Sequence, residues 1–217
     1  MTHVIAIDGP SGSGKSSTSR GVASKLGYAY LDTGAMYRAM TWAMLQRGVD
    51  VHDPAAVAAA ASEVVLASGT DPQSPTIEAD GVDVSEPIRG EDVTGAVSPV
   101  ATVPEVRRQL VDLQRELIAG AGVGIVVEGR DIGTVVAPDA ALKVYLVADP
   151  VARARRRALE LGVEDAEAMG EALARRDAID STRTTAPLAQ ADDAIVVDGT
   201  HLTLDEVIER IVTLAQS

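Results

Sequence analysis

The sequence predicts an α/β fold, a three-layer core built on a five-stranded parallel sheet. Five short segments are apolar throughout rather than alternately apolar, as strands covered on both faces are. Helical patterns separate most of them, and helix–strand alternation of this kind gives layered α/β cores. A third observation breaks the regularity: about ninety residues lie between the second and third apolar segments, far more than one crossover helix requires.

In chain order, the first strand is "HVIAID" from His3, followed by the glycine-rich "GPSGSGKSS" and a helix over "SSTSRGVASKLG". The second strand, "YAYLD" from Tyr28, leads through Thr33 and Gly34 into a helix carrying Arg38. Inside the long gap, the Ala-rich "DPAAVAAAASEVV" reads as a helix and "PTIEADGVDVS" as a hairpin. Ile77 and Ala79 alternate with polar residues, Asp80 and Gly81 supply the turn, and Val82 and Val84 alternate on the return. "SEVVLAS" just before it is a candidate third strand, so the gap holds a small antiparallel β subdomain inserted into the core. The remaining core strands are "GIVVEG" from Gly124, "LKVYLV" from Leu142 and "AIVVDG" from Ala194. "DPVARARRRALELG" is the helix after the fourth strand, and "TLDEVIERIVTLAQS" closes the chain with Thr203 as cap and Glu206 three residues on. There is no internal repeat.

Composition narrows the function classes. At 217 residues the chain has room for one well-buried core with a subdomain. Cysteine is absent, which excludes a disulfide framework, a thiolate metal site and a cysteine nucleophile. Phe is absent too, so Val, Leu, Ile, Ala and Met must fill the core, with Trp42 assigned there as well. No apolar run approaches membrane-spanning length and the N-terminus runs straight into a strand, so a soluble cytoplasmic protein with no membrane partner is expected. A formal charge of −13 repels nucleic-acid backbones, and no nucleic-acid partner is expected either. His3, His52 and His201 are scattered without metal-like spacing.

The glycine-rich stretch fits G-x-x-x-x-G-K-[ST] at Gly9, Gly14, Lys15 and Ser16. A chance Gly/Ser turn is the bland alternative. The match follows a strand, opens a helix and lies near the N-terminus, and that context decides for a phosphate loop. The backbone of Gly9, Pro10, Ser11, Gly12, Ser13 and Gly14, with Ser16 and Ser17 at the helix start, would converge on phosphate oxygens. Lys15 would reach the β- and γ-phosphates of a nucleoside triphosphate, and Ser16 would hold Mg²⁺. Glu128 closes the third strand beside that loop and is the second candidate metal ligand; Arg130 and Asp131 follow it at the C-terminal end of the sheet, where open α/β folds bind ligands. "LDTGAMYR" taken alone favours an ordinary strand exit, with Asp32 capping a helix and Arg38 in solvent. "ARARRRALEL" places Arg153, Arg156 and Arg157 on one helical face with Arg155 offset, and "ARRDAIDSTR" adds Arg175, Arg176 and Arg183 with Asp177 and Asp180 between them.

What receives the γ-phosphoryl group follows from these arginines. The chain contains no Asn, so the N-K-x-D guanine-reading motif of switch GTPases is missing. A phosphate acceptor is already ionised near neutral pH and needs no strong base. It needs two anions neutralised together, and a lid that keeps water out. Arg38, Arg130, Arg176 and Arg183, with the group from Arg153 to Arg157, match that demand, and the pattern is that of a nucleoside monophosphate kinase.

"IDGPSGSGKSS", "LDTGAMYR", "VSPVATVPEVR", "EGRDIGTVV" and "RRDAIDSTRTTAPL" together resemble the bacterial cytidylate (CMP/dCMP) kinase family, in order and over nearly the whole chain. The phosphate loop is generic; "GRDIGTVV" and the stretch from Ser98 to Arg107 are narrower. The resemblance implies a P-loop kinase core at 1–32, 108–152 and 184–217, an acceptor-binding insert at 33–107 and a helical lid at 153–183. It implies that Ser98, Arg107 and Asp131 face cytosine, that Arg38, Arg130 and Arg183 hold the acceptor phosphate, and that Asp180 with Arg176 holds the ribose. Thr33, where other members can carry Ser, joins the CMP site, and Arg153 and Arg157 join the ATP site. The catalytic set is then Lys15, Arg130, Arg176 and Arg183, with Mg²⁺ on Ser16 and Glu128 and ATP as donor. A monomer acting on CMP or dCMP is expected. The alternatives are a kinase of another small acceptor, such as UMP, shikimate or gluconate, and a nucleotide-dependent switch.

Overall fold

The computed structural model describes residues 2–162, 165–183 and 186–217. Residues 163 and 164 of the predicted lid, and 184 and 185 at the start of the last predicted core segment, lie outside the described residues. All five predicted core strands form: β1 (His3–Asp8), β2 (Ala29–Asp32), β6 (Gly124–Gly129), β7 (Leu142–Val147) and β8 (Ile195–Asp198). They make one parallel sheet in the order β2-β6-β1-β7-β8. The phosphate-loop strand β1 is therefore central, flanked by the strand that carries Glu128.

Both faces are covered over β1, β2, β6 and β7, and that is why these strands are apolar throughout; on the edge strand β8, Val197 is buried while Ile195 and Val196 are exposed. On β6, Ile125 and Val127 bury in one cluster with Leu31, Met36, Met40 and Leu110, while Val126 between them buries in another with Ile5, Ile7 and Ile208. The second cluster packs under α1 (Lys15–Leu26) and α8 (Leu204–Ala215), the latter with the predicted capping box of Thr203 and Glu206. The first lies under α2 (Thr33–Gln46) and α5 (Pro104–Gly120). With no Phe available, unbranched Met36, Met40 and Met44 fill this side at helical spacing, and half-buried Trp42 packs against it.

The long gap holds α2, α3 (Pro54–Ala61), a three-stranded antiparallel sheet, α4 (Glu91–Thr102) and α5. The small sheet is β3 (Leu66–Ser68), β4 (Ile77–Ala79) and β5 (Val82–Asp83). Asp80 and Gly81, with φ of 53° and 77°, make the tight turn between β4 and β5, as two left-handed positions must. Of "SEVVLAS" only the last three residues are strand: the amides of Glu63 and Val64 still bond back to the carbonyls of Ala60 and Ala61, unwinding α3 first. Ile77, Ala79 and Val84 bury in the same cluster as Leu31 and Ile125, so the small sheet shares the core rather than owning one. After β7 come α6 (Pro150–Leu161) and α7 (Ala166–Thr182), packed on each other.

Candidate active site

A cavity of about 360 Å³ opens at the C-terminal ends of β1, β2 and β6, with walls from α2, α4, α7 and the small sheet. Its floor is the phosphate loop. A Cβ on Gly9 would lie 2.1 Å from the Leu146 carbonyl oxygen, so only glycine lets the loop leave β1 there. Gly14, at φ 90°, turns it into α1. Gly12, Gly14, Ser11, Lys15, Ser16 and Ser17 face the cavity; Ser13 is buried beneath the loop.

Lys15 donates to the Pro10 carbonyl at 2.8 Å. Burial and the charge of Arg130 push its ammonium down to about 7, against the opposing pull of Glu128. Glu128 is the counter-case: burial and the charge of Asp32 push its carboxyl up to about 7. It accepts from Ser16 Oγ at 3.0 Å on one oxygen and from the Tyr30 hydroxyl on the other. Tyr30 is itself pushed well above the ordinary phenol range, by burial first and then by Glu128. A hydroxyl and a carboxylate side by side at the mouth of a phosphate loop are hard oxygen donors of the kind Mg²⁺ takes, alongside phosphate oxygens. Among the described residues no cluster of three acidic or imidazole side chains could hold a metal by itself.

The arginines converge here. Arg130 donates to the Gly9 carbonyl and the Ser11 hydroxyl at 2.5 Å each, and pairs with Asp180 at 2.9 Å. Arg183 lies 3.6 Å from Asp131 and 3.7 Å from Asp180, two carboxylates it draws together. Arg176 is pushed down to about 9 by burial and then by Arg130 and Arg38; Arg38 is pushed down to about 10 by burial and then by Arg157. Arg38 is not in solvent: it donates to the Ile88 carbonyl and to Thr94 Oγ1 and lines the cavity, while Asp32 caps α2 by accepting from the Ala35 amide. Arg157, Ser98 and Thr33 also line the cavity, Thr33 donating to the Glu128 carbonyl at 2.7 Å.

Arg107, Arg153 and Arg156 do not line the cavity. Arg107 lies behind the wall, 3% exposed, hydrogen-bonded to Asp131 and stacked 5.3 Å above the Tyr37 ring. Arg153 reaches down to the Ser11 carbonyl and to Asp177. Arg156 leaves the face predicted for it: at about 100° per residue it diverges from Arg157, and it donates to the Gly199 carbonyl on the far side.

Sequence reasoning passed over Asp8, Tyr30, Arg20 and Arg89, and named Asp177 without giving it a role. Asp177 accepts from the Ser11 amide at 2.9 Å, joining α7 to the phosphate loop. Arg20 and Arg89 line the cavity from α1 and from the 3₁₀ turn Pro87–Arg89. Asp8 is buried at the end of β1 and accepts two backbone amides beyond β6; burial pushes its carboxyl up to about 6. The one signal for it was a charge ending an otherwise apolar run.

A shikimate kinase from Acinetobacter baumannii, solved with shikimate, shares the fold with a TM-score of 0.50 at 15% identity, covering 100% of this chain and 94% of that one. A protein of Streptomyces avermitilis named cytidylate kinase is 58% identical over 213 residues, 98% of this chain and 92% of the relative. One of Streptomyces griseus with the same name is 60% identical over the same span and coverage. The cytidylate kinase family model matches residues 5–217. The chain belongs to the cytidylate kinase family.

Proposed function

We infer that the chain carries out the reaction its family is named for: it is a nucleoside monophosphate kinase that phosphorylates CMP. We extend this to dCMP, with ATP as donor, and to the roles of individual residues. An oxygen of the acceptor phosphate attacks the γ-phosphorus of ATP in line, the bond from that phosphorus to the β-phosphate oxygen breaks, and ADP leaves with the electron pair. The acceptor oxygen is already ionised, so no residue need remove a proton.

Lys15 holds the bridging region where charge grows, with the backbone from Gly9 to Ser17 around the donor phosphates. Ser16 and Glu128 would hold Mg²⁺, which when bound supplies positive charge to the β- and γ-phosphates. Arg38, Arg130, Arg176 and Arg183 neutralise the acceptor and transferred phosphates. Asp131 accepts from the cytosine N4 amine, held by Arg107 behind it, with Ser98 beside the base. Asp180 takes the ribose, and Arg153 and Arg157 face the donor side. The segment 153–183 acts as a lid and 33–107 as the acceptor-binding region. Contacts of Asp177 and Arg153 with Ser11 join the lid to the phosphate loop, and substrates enter as they part. The working form is a cytoplasmic monomer acting on free nucleotides.

The observation that supports this most is the meeting, on one cavity wall beside a phosphate loop, of a carboxylate at Asp131 with arginines from three separate segments. The test is ATP consumption with CMP, dCMP, UMP, AMP and shikimate. CMP and dCMP should turn over fastest; preference for AMP or shikimate would overturn the assignment.

A further inference from the structure

The segment after Arg130 and Asp131 is a single π-helical turn, Ile132–Val136. Its internal bonds run from the amides of Val135 and Val136 to the Asp131 carbonyl and from Ala137 to Ile132. The first amides of any helical turn have no carbonyl behind them and need an outside acceptor. Asp131 occupies the capping position and is a residue type that caps well, yet its side chain makes no cap bond. It is turned toward Arg107 and Arg183 instead.

The orphan amides are met from 124 and 125 residues away. Asp8 Oδ1 accepts from the Ile132 amide at 2.9 Å and Oδ2 from the Gly133 amide at 2.8 Å. Asp8 is 5% exposed, ends β1 opposite Gly129 and directly precedes Gly9 of the phosphate loop. Here each amide has an oxygen of its own, and two acceptor oxygens on one side chain are what only a carboxylate offers. We propose that Asp8 is a positioning residue for acceptor recognition. It caps the turn in place of Asp131, and so leaves the Asp131 carboxylate free for the pocket. This rests on the reading of Asp131 as the base contact.

Asp8→Asn keeps the shape but turns an NH₂ toward one of the two amides, leaving it unmet in a buried place. The Asp131 carboxylate is then drawn back onto its own turn. In the full-length chain, with folding checked by circular dichroism, KM for CMP should rise about ten-fold while KM for ATP stays within about two-fold. The ratio of kcat/KM for CMP to that for UMP should fall. In an Asp131→Ala background, Asp8→Asn should change that ratio no further, because both act through one carboxylate. Equal rises in both KM values, or a further loss of the ratio in the double variant, would overturn the proposal. If Asp131→Ala alone leaves the ratio intact, the base reading fails, and Asp8 stands or falls on the KM split. Should Asp8→Asn not fold, hydrogen exchange on the unaltered protein decides: slow exchange at Ile132 and Gly133 supports the cap, and exchange at the pace of exposed loops refutes it.

Discussion

Lys15 sits among positive neighbours, with the Pro10 carbonyl as its hydrogen-bond acceptor. As a donor at developing charge it should be worth about 10²–10³ in rate, so Lys15→Ala should lose that much turnover and keep its fold. Its depressed ammonium has a second consequence. The unfolded chain binds that proton more tightly, so the cost of charged Lys15 is full below pH about 7 and fades as pH rises toward 10.5. Substrate-free Lys15→Met should therefore melt above the parent at pH about 7, with the gap closing by pH about 10; a widening gap would contradict the argument. In the proposed site, Asp131 governs the choice of base. A carboxylate suits the cytosine N4 donor but meets uracil O4 lone pair to lone pair, a difference of about 1–3 kcal/mol. Asp131→Ala should shrink the CMP-to-UMP ratio of kcat/KM roughly ten-fold or more, and an unchanged ratio would remove Asp131 from the base site. Lys15, Ser16, Glu128 and Arg130 were legible because each lies within one contiguous motif. Asp8 and Asp177 were not, since their meaning comes from amides 124 and 166 residues away that only the folded sheet brings near.

Among the elements, α6 and α7 carry the sharpest expectation. Among the described residues they meet the phosphate loop through polar contacts of Arg153 and Asp177 with Ser11 and a close approach of Leu173 to Gly12, with Asp180 paired to Arg130 beside the loop. Amide exchange in these helices should slow markedly once ATP and CMP sites are both filled, as with a bisubstrate analogue. Equal exchange with and without it would reduce their arginines to a solvated surface. Four of the five core strands were legible because burial on both faces writes itself as an unbroken apolar run; β8 carries the same run with Ile195 and Val196 exposed. The β4–β5 turn was legible because Asp80-Gly81 suits left-handed geometry. The start of β3 was not, since "SEVV" offers apolar residues to either an ending helix or a beginning strand. The splaying of Arg156 from Arg157 was readable from helix geometry but masked by the run of like charges.

For the whole molecule, the contrast is between a chain of net charge −13 and a cavity lined by Arg38, Arg130, Arg157, Arg176 and Arg183. Acidic surroundings made the clustered arginines stand out in the sequence; the division of the core between two sheet faces became visible only with the sheet order. Buried guanidiniums held below their ordinary range are relieved by anions, so phosphate binding should stabilise the fold. At a ligand concentration about a hundred times Kd the gain is about 2.7 kcal/mol, or roughly 5–10 °C in Tm for a domain of this size. ATP with CMP should produce that rise and sulfate a smaller one. A rise no larger than that from chloride at equal ionic strength would rule the linkage out.

The half-buried indole on α2 gives the molecule an optical marker of its own. Trp42 is the sole tryptophan in 217 residues, with no phenylalanine and four tyrosines beside it. It sits one helical turn beyond Arg38, the residue proposed to hold the acceptor phosphate, and packs on the sheet face under α2 and α5. Its emission should therefore shift when CMP binds and stay nearly unchanged with ATP alone, so that acceptor occupancy can be followed by fluorescence without any label. An emission change driven by ATP and indifferent to CMP would mean that α2 answers to the other nucleotide.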